Sequence, residues 1–155
     1  MSGPAKEIER KFLVREVPPN LFRDPGKRIE QGYVAVDPDG TEVRLRKKGE
    51  RCFLTIKSGA GLERLEAETE LTPDQYDTLW PMTEGRRLVK IRHEVPHGAL
   101  TIEVDVYLEQ LSGFHTAEVE FASREESRAF DPPAWMAEEV TGDERYLNRN
   151  LATRG

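Results

Sequence analysis

Apolar and polar residues alternate with a period of two along most of the chain, in short runs bounded by turn-forming residues. Successive strand residues point to opposite faces, so this alternation marks half-buried strands. It predicts eight of them, at roughly 6–14, 29–36, 42–48, 51–57, 64–71, 87–94, 100–107 and 115–121. The joints carry turn chemistry. "DPDG" (Asp37 to Gly40) and "KKGER", around Gly49, leave connections so short that the flanking strands run antiparallel. Helical signals are fewer. In "LTPDQYDTLW", Thr72 is the N-cap, Pro73 opens the first turn and Gln75 completes a capping box; "SREESRAF" repeats the device with Ser123 and Glu126. "DPPAWMAEEV" predicts a third helix from Asp131, with Trp135 and Met136 as packing residues. The fold class is α+β, mainly β: one domain over 1–155, an antiparallel sheet with helices packed outside it.

Splitting each strand by face reveals a second pattern. Arg44 and Arg46 oppose Val43 and Leu45, Lys57 opposes Ile56, and Lys90 and Arg92 oppose Val89 and Ile91. Glu103 and Asp105 oppose Ile102 and Val104, Glu118 and Glu120 oppose Val119 and Phe121, and Glu66 and Glu68 share a face with Arg64. Two arrangements satisfy this alternation. In one, an apolar core lies inside and the charges meet water. In the other, eight strands close into a barrel whose charged face lines a wet tunnel, with helices covering the apolar face outside.

Two features favour the tunnel. The charges segregate by strand, with acids at Glu7, Glu9, Glu103, Asp105, Glu118 and Glu120 and bases at Arg44, Arg46, Lys57, Lys90 and Arg92. A merely soluble surface intersperses the two signs. Moreover "EIE", "EVD" and "EVE" each set two carboxylates on one strand face, close enough to repel unless a cation lies between them. Oxygen-only ligands suit Mg²⁺ or Mn²⁺, and guanidinium groups opposite them match the oxygens of a polyphosphate.

Composition narrows the field. Of 155 residues 34% are charged, and the net charge of −6 argues against a nucleic-acid partner. No apolar run has the length of a membrane span, "MSGPAKEIERK" lacks the apolar core of a signal peptide, and Cys52 is the single cysteine. A soluble protein of a reducing cytoplasm is the expectation.

These segments, in this order, resemble the CYTH or triphosphate tunnel metalloenzyme superfamily: "EIERKFLV", "QGYV", "VRLRKKG", "FLTIKSGAGLERLEAE", "LWPMTEGRRLVKIRH", "EVDVY", "AEVEF" and "EEVTGDERYLN". The resemblance covers nearly the whole chain. It implies an eight-stranded antiparallel β-barrel forming a charged tunnel that binds a triphosphate with Mg²⁺ or Mn²⁺. By position it implies metal ligands at Glu7, Glu9, Asp105, Glu118 and Glu120. It implies phosphate contacts at Lys11, Arg44, Arg46, Lys57, Arg87, Lys90, Arg92 and Arg145, and catalytic roles for Glu66, Glu68 and Lys90. Two positions depart from the family pattern: Glu144 precedes Arg145 where relatives often carry a second basic residue, and His93 stands where Tyr is common.

The activity implied is that of the short bacterial members, hydrolysis of inorganic triphosphate to pyrophosphate and phosphate, with a homodimer expected by analogy. A class IV adenylate cyclase would need a base pocket that the sequence does not offer, and a thiamine triphosphatase an aromatic platform for which Tyr33 stands alone. A polyphosphate-binding module could dispense with the acids. Several other signals have plain readings. "GAGLER" is a turn, since a charged strand follows it where a nucleotide loop requires a helix. His93, His97 and His115 lack zinc-ligand spacing, Cys52 has no activating neighbour, and Trp80 and Trp135 are expected as hydrophobic anchors on helices.

Overall fold

The computed structural model describes residues 3–59 and 61–153. The eight expected strands are β1 (Ala5–Val14), β2 (Lys27–Val36), β3 (Glu42–Lys48), β4 (Arg51–Ser58), β5 (Glu63–Leu71), β6 (Arg87–His97), β7 (Leu100–Tyr107) and β8 (His115–Phe121). They run β5–β4–β3–β2–β6–β7–β8–β1, each antiparallel to its neighbours. β1 then pairs back onto β5, with Ala5 opposite Glu66 and Ile8 opposite Glu63, and the sheet closes into an eight-stranded barrel.

Closure decides between the two arrangements left open by the alternation. The apolar residues Ile8, Phe12, Ile102, Val104, Val119 and Phe121 are buried on the outside of the barrel, beneath Phe130 and Met136. The helix α2 (Arg124–Ala129) leads Phe130 onto them; its N-cap Ser123 accepts a hydrogen bond from the Glu126 amide, as its sequence predicts. On the opposite flank α1 (Pro73–Leu79) starts with the expected Thr72–Gln75 capping box. Its Tyr76 stacks on Trp80, with ring centroids 5.2 Å apart, above Leu45 and Cys52. Gly32 makes this seat possible, because a β-carbon there would lie 2.6 Å from the Thr83 side chain.

The third helix is a correction. Residues 131–140 form no helix; Met136–Glu139 is a ninth strand, β9, paired with β1 at Phe12 and Val14. Two physical reasons outweigh the helical pattern. Consecutive prolines at Pro132 and Pro133 push the residues before them into extended conformations. The second half of β1 also has an edge that β5, which pairs only through Ile8, leaves unfilled. Trp135 therefore lies in the turn before β9, still packed against the outer apolar cluster.

One end of the barrel is stoppered. The short C-terminal helix α3 (Asn148–Leu151) buries Leu151 and Ala152 against Tyr33, Leu88 and Tyr107, which face inward from the sheet. No helix among the described residues is long and apolar enough to cross a membrane.

Candidate active site

Inside the barrel lies a cavity of about 260 Å³ whose lining is mostly charged. Strand parity builds it. Glu7, Glu9 and Lys11 come from β1, Glu42, Arg44, Arg46 and Lys48 from β3, Lys57 from β4, and Arg64, Glu66 and Glu68 from β5. Arg92 comes from β6, Glu103 from β7, and Glu118 and Glu120 from β8, next to β1. "EIERK" is thus a wall of this cavity and not a solvated edge.

The acids form one wall. Register sets Glu9 opposite Glu120 and Glu103 opposite Glu118, like charges in positions where a sheet ordinarily places attractive pairs. Burial and this crowding shift the paired carboxyls in opposite directions. Burial and the Glu118 charge raise the Glu9 carboxyl well above the usual carboxylate range, and Glu9 and Glu118 share a hydrogen bond. Glu118 itself is held down to about 2: burial opposes this, but Lys11 and Arg92 outweigh it. Burial and a hydrogen bond to Glu7 raise Glu66 to about 7. Glu7 is lowered, because that bond and Lys57, whose Nζ donates to Glu7 at 2.8 Å, overcome its burial. Burial and the Glu7 and Glu103 charges also raise Glu120.

The bases form the facing wall. Burial, together with repulsion from Arg44 and Arg92, pushes Arg46 down to about 10. Of these three guanidiniums Arg92 has carboxylates beside it, from Asp105, Glu103 and Glu118, and Arg46 is hydrogen-bonded to the neutral Gln31. Arg44 is buried, and its Nε is a buried side-chain polar atom without a hydrogen-bond partner among the described residues. Such a buried donor left unpaired is uncommon in a folded protein.

Of the residues singled out by sequence, Glu7, Glu9, Lys11, Arg44, Arg46, Lys57, Glu66, Glu68, Arg92, Glu118 and Glu120 all line the cavity. Four do not. Asp105 and Lys90, both fully buried, pair with each other at 2.7 Å, and Asp105 also grips Arg92 through Nε at 2.8 Å and the NH2 nitrogen at 2.9 Å. The Asp105 carboxyl is held far below its usual range, its burial overcome by these two cations. Arg87 lies outside, stacked on Trp80 and donating to the Trp80 carbonyl and the Thr83 hydroxyl. Arg145 is exposed and paired with Asp143 at 2.6 Å. His93 faces the outside and bonds the Asp24 carbonyl oxygen at 3.0 Å.

Sequence reasoning passed over Glu42, Lys48, Asn148 and Arg149 in the lining, and gave Tyr33 no part in phosphate binding. Parity alone finds the first two, since they share a face with Arg44 and Arg46. The C-terminal pair has no such signal, because it reaches the cavity through a tertiary turn. There Lys11 Nζ donates to the Tyr146 carbonyl at 2.6 Å, and Arg149 to the Gly40 carbonyl at 2.9 Å.

Among the described residues no three carboxylates, imidazoles or thiols stand as a ready-made metal cage. The donor chemistry nonetheless fits a hard divalent cation: carboxylates paired closely enough to share protons offer it only oxygens.

Comparison with known proteins agrees with this architecture. The chain is 46% identical over 149 residues to an inorganic triphosphatase of Nitrosomonas europaea, covering 94% of this chain and 96% of that protein. It is 35% identical over 150 residues to an inorganic triphosphatase of Acetivibrio thermocellus, covering 94% and 92%. A crystal structure of an inorganic triphosphatase superposes with a TM-score of 0.68 at 40% identity, over 95% of this chain and 94% of that one. The profile of the CYTH domain matches residues 5–155, and the chain belongs to the CYTH domain family.

Proposed function

We propose that the protein is an enzyme that hydrolyses inorganic triphosphate to pyrophosphate and phosphate inside the barrel, using Mg²⁺ or Mn²⁺. The observation that carries this reading is the cluster of Arg44, Arg46 and Arg92 in the cavity lining, with an unpartnered donor on Arg44, facing a wall of carboxylates that the register sets opposite one another. A strongly anionic ligand neutralises the first wall, and cations it brings with it neutralise the second. Both close relatives bear the name of this activity.

Lys11, Arg44, Arg46, Lys57 and Arg92 hold the phosphate oxygens and stabilise the charge that gathers on them as the terminal phosphoryl group leaves. Glu7, Glu9, Glu118 and Glu120 would hold the divalent cation; when bound it supplies charge neutralisation and lowers the pKa of a water. Glu68, fixed by the Thr55 hydroxyl at 2.8 Å, and Glu66 are placed to orient the attacking water and accept its proton. Water's oxygen bonds to the terminal phosphorus, the bridging P–O bond breaks, and pyrophosphate departs with the electron pair. Among the described residues Tyr33 is the single aromatic side chain in the cavity lining, which gives a nucleobase or thiamine ring little to stack on.

The test is phosphate release from inorganic triphosphate, ATP and thiamine triphosphate with Mg²⁺, Mn²⁺ or EDTA. Metal-dependent cleavage that prefers inorganic triphosphate is expected. Cyclic AMP from ATP would replace the reading by a cyclase, and binding without cleavage by a polyphosphate-binding module.

A further inference from the structure

The C-terminal tail brings into the cavity a cation that no strand supplies. On β3 the inward residues run Lys48, Arg46, Arg44 and then Glu42, so the bases stop one position short of the β2–β3 turn. Glu42 is itself occupied, 2.8 Å from Arg64. Arg64 has all three of its nitrogens engaged: Nε on the Gly59 carbonyl at 3.1 Å, Nη1 on Glu42, and Nη2 on the Gly40 carbonyl at 3.2 Å. Arg149 of α3 comes to the same carbonyl from the other side. Its Nη1 donates to Gly40 at 2.9 Å, and the side chain lines the cavity. Among the described residues that is its single hydrogen bond, and no carboxylate there stands at ion-pair distance from it. Its place is nevertheless fixed. The Tyr107 hydroxyl donates to Asn148 Oδ1 at 2.5 Å, and Leu151 and Ala152 are buried in the barrel end. The guanidinium is therefore held at the stoppered end of the cavity with its Nε and Nη2 unspent.

Resting on the reaction proposed above, we propose that Arg149 is a further substrate-contacting residue, which takes the phosphate oxygens at the stoppered end of the cavity. An arginine anchored through Nη1 still presents the Nε–H and an Nη2–H side by side, and this fork matches two oxygens of one phosphate. With Arg149 in place the basic wall continues beyond Arg44, past the point where Glu42 and Arg64 engage each other. The tail's contribution then comes from Arg149 and not from Arg145, which is exposed and paired with Asp143. The stopper is thus part of the binding site as well as its closure.

The experiment uses Arg149→Gln, which keeps a donor for the Gly40 carbonyl and removes the charge. Tripolyphosphate binding is measured by calorimetry in EDTA, beside steady-state kinetics with Mg²⁺. The dissociation constant and KM are expected to rise about tenfold, as for a lost hydrogen bond to a charged group. Arg149→Lys, which keeps the charge but not the fork, is expected to weaken binding only about threefold. An unaltered dissociation constant in Arg149→Gln, with no more than a lowered melting temperature, would make the residue a mere latch between α3 and Gly40 and overturn the proposal. A larger loss of affinity in Arg145→Gln than in Arg149→Gln would return the role to Arg145 and overturn it too. If Arg149→Gln does not fold, Arg149→Lys decides, and wild-type binding there counts against the proposal. Because affinity is the readout, a wild-type protein that binds tripolyphosphate without cleaving it defeats the hydrolase reading and leaves Arg149 open to the same test. One that neither binds nor cleaves it overturns both.

Discussion

Two charged assemblies share the inside of this barrel. Around Lys90, Asp105 and Arg92 every charge has its partner at hydrogen-bond distance, and Lys90 and Asp105 see no solvent. A few residues away along the same strands, Glu9 and Glu118 must share a hydrogen bond, and Arg46 is crowded by Arg44 and Arg92. The first assembly is complete in itself, so it rigidifies the wall and fixes Arg92. The second is matched only in part: Lys57 meets Glu7, and Lys11 and Arg92 meet Glu118, but the buried Arg44 Nε has no partner among the described residues. A buried charge therefore does not by itself mark a functional site; a buried charge left unmatched by its own protein does.

Breaking the complete assembly should have the largest effect. Asp105→Asn leaves two buried cations without their anion and is expected to cost about 3–5 kcal/mol in chemical denaturation. Breaking the incomplete one should act on activity far more than on stability. Glu9→Gln keeps a neutral, hydrogen-bonding side chain beside Glu118 and is expected to change stability by less than about 1 kcal/mol, while phosphate release from inorganic triphosphate falls about a hundredfold or more. A stability loss comparable to that of Asp105→Asn would erase the distinction.

The pH dependence sharpens it further. Folding favours the protonated form of Glu66, whose carboxyl is raised to about 7, so its contribution is full below the ordinary value of 4.5 and is lost as pH rises through about 7. Urea denaturation of the metal-free protein between about pH 5 and about pH 8 should show stability falling, and Glu66→Gln should flatten the fall. The smallest effect is expected outside the barrel. Arg87→Ala removes a stacked guanidinium and two hydrogen bonds on the Trp80 turn. It should lower stability by about 1 kcal/mol and leave KM unchanged.

Alternation made the strands legible nearly to the residue. β6 runs past its expected end because Pro96, which demotes a strand in sequence, is accommodated opposite Thr101. Alternation also carries the inward face, and it already separates Arg87 from Lys90 and Arg92, which sit at the other parity. What it cannot carry is depth along the barrel axis. Lys90 and Asp105 point inward as expected, but they lie behind Arg92, outside the cavity lining. The helix read at 131–140 failed for a related reason: β9 fills the part of the β1 edge that β5 leaves unpaired, and a local pattern does not show that edge.

That divided edge on β1 bears on how the molecule comes into being. The first strand made is joined to β5 in its first half, to β9 in its second and to β8 along its other side. Its partners begin only at Glu63, His115 and Met136, so until most of the polypeptide exists β1 has exposed edges and an uncovered apolar face. Such distant pairings close slowly, because loop entropy must be overcome before the contacts reward it. During synthesis the N-terminal strand is thus the segment most open to pairing with another nascent chain. The alternating charges of Glu7, Glu9 and Lys11, later the wall of the cavity, discourage such pairing while the strand waits.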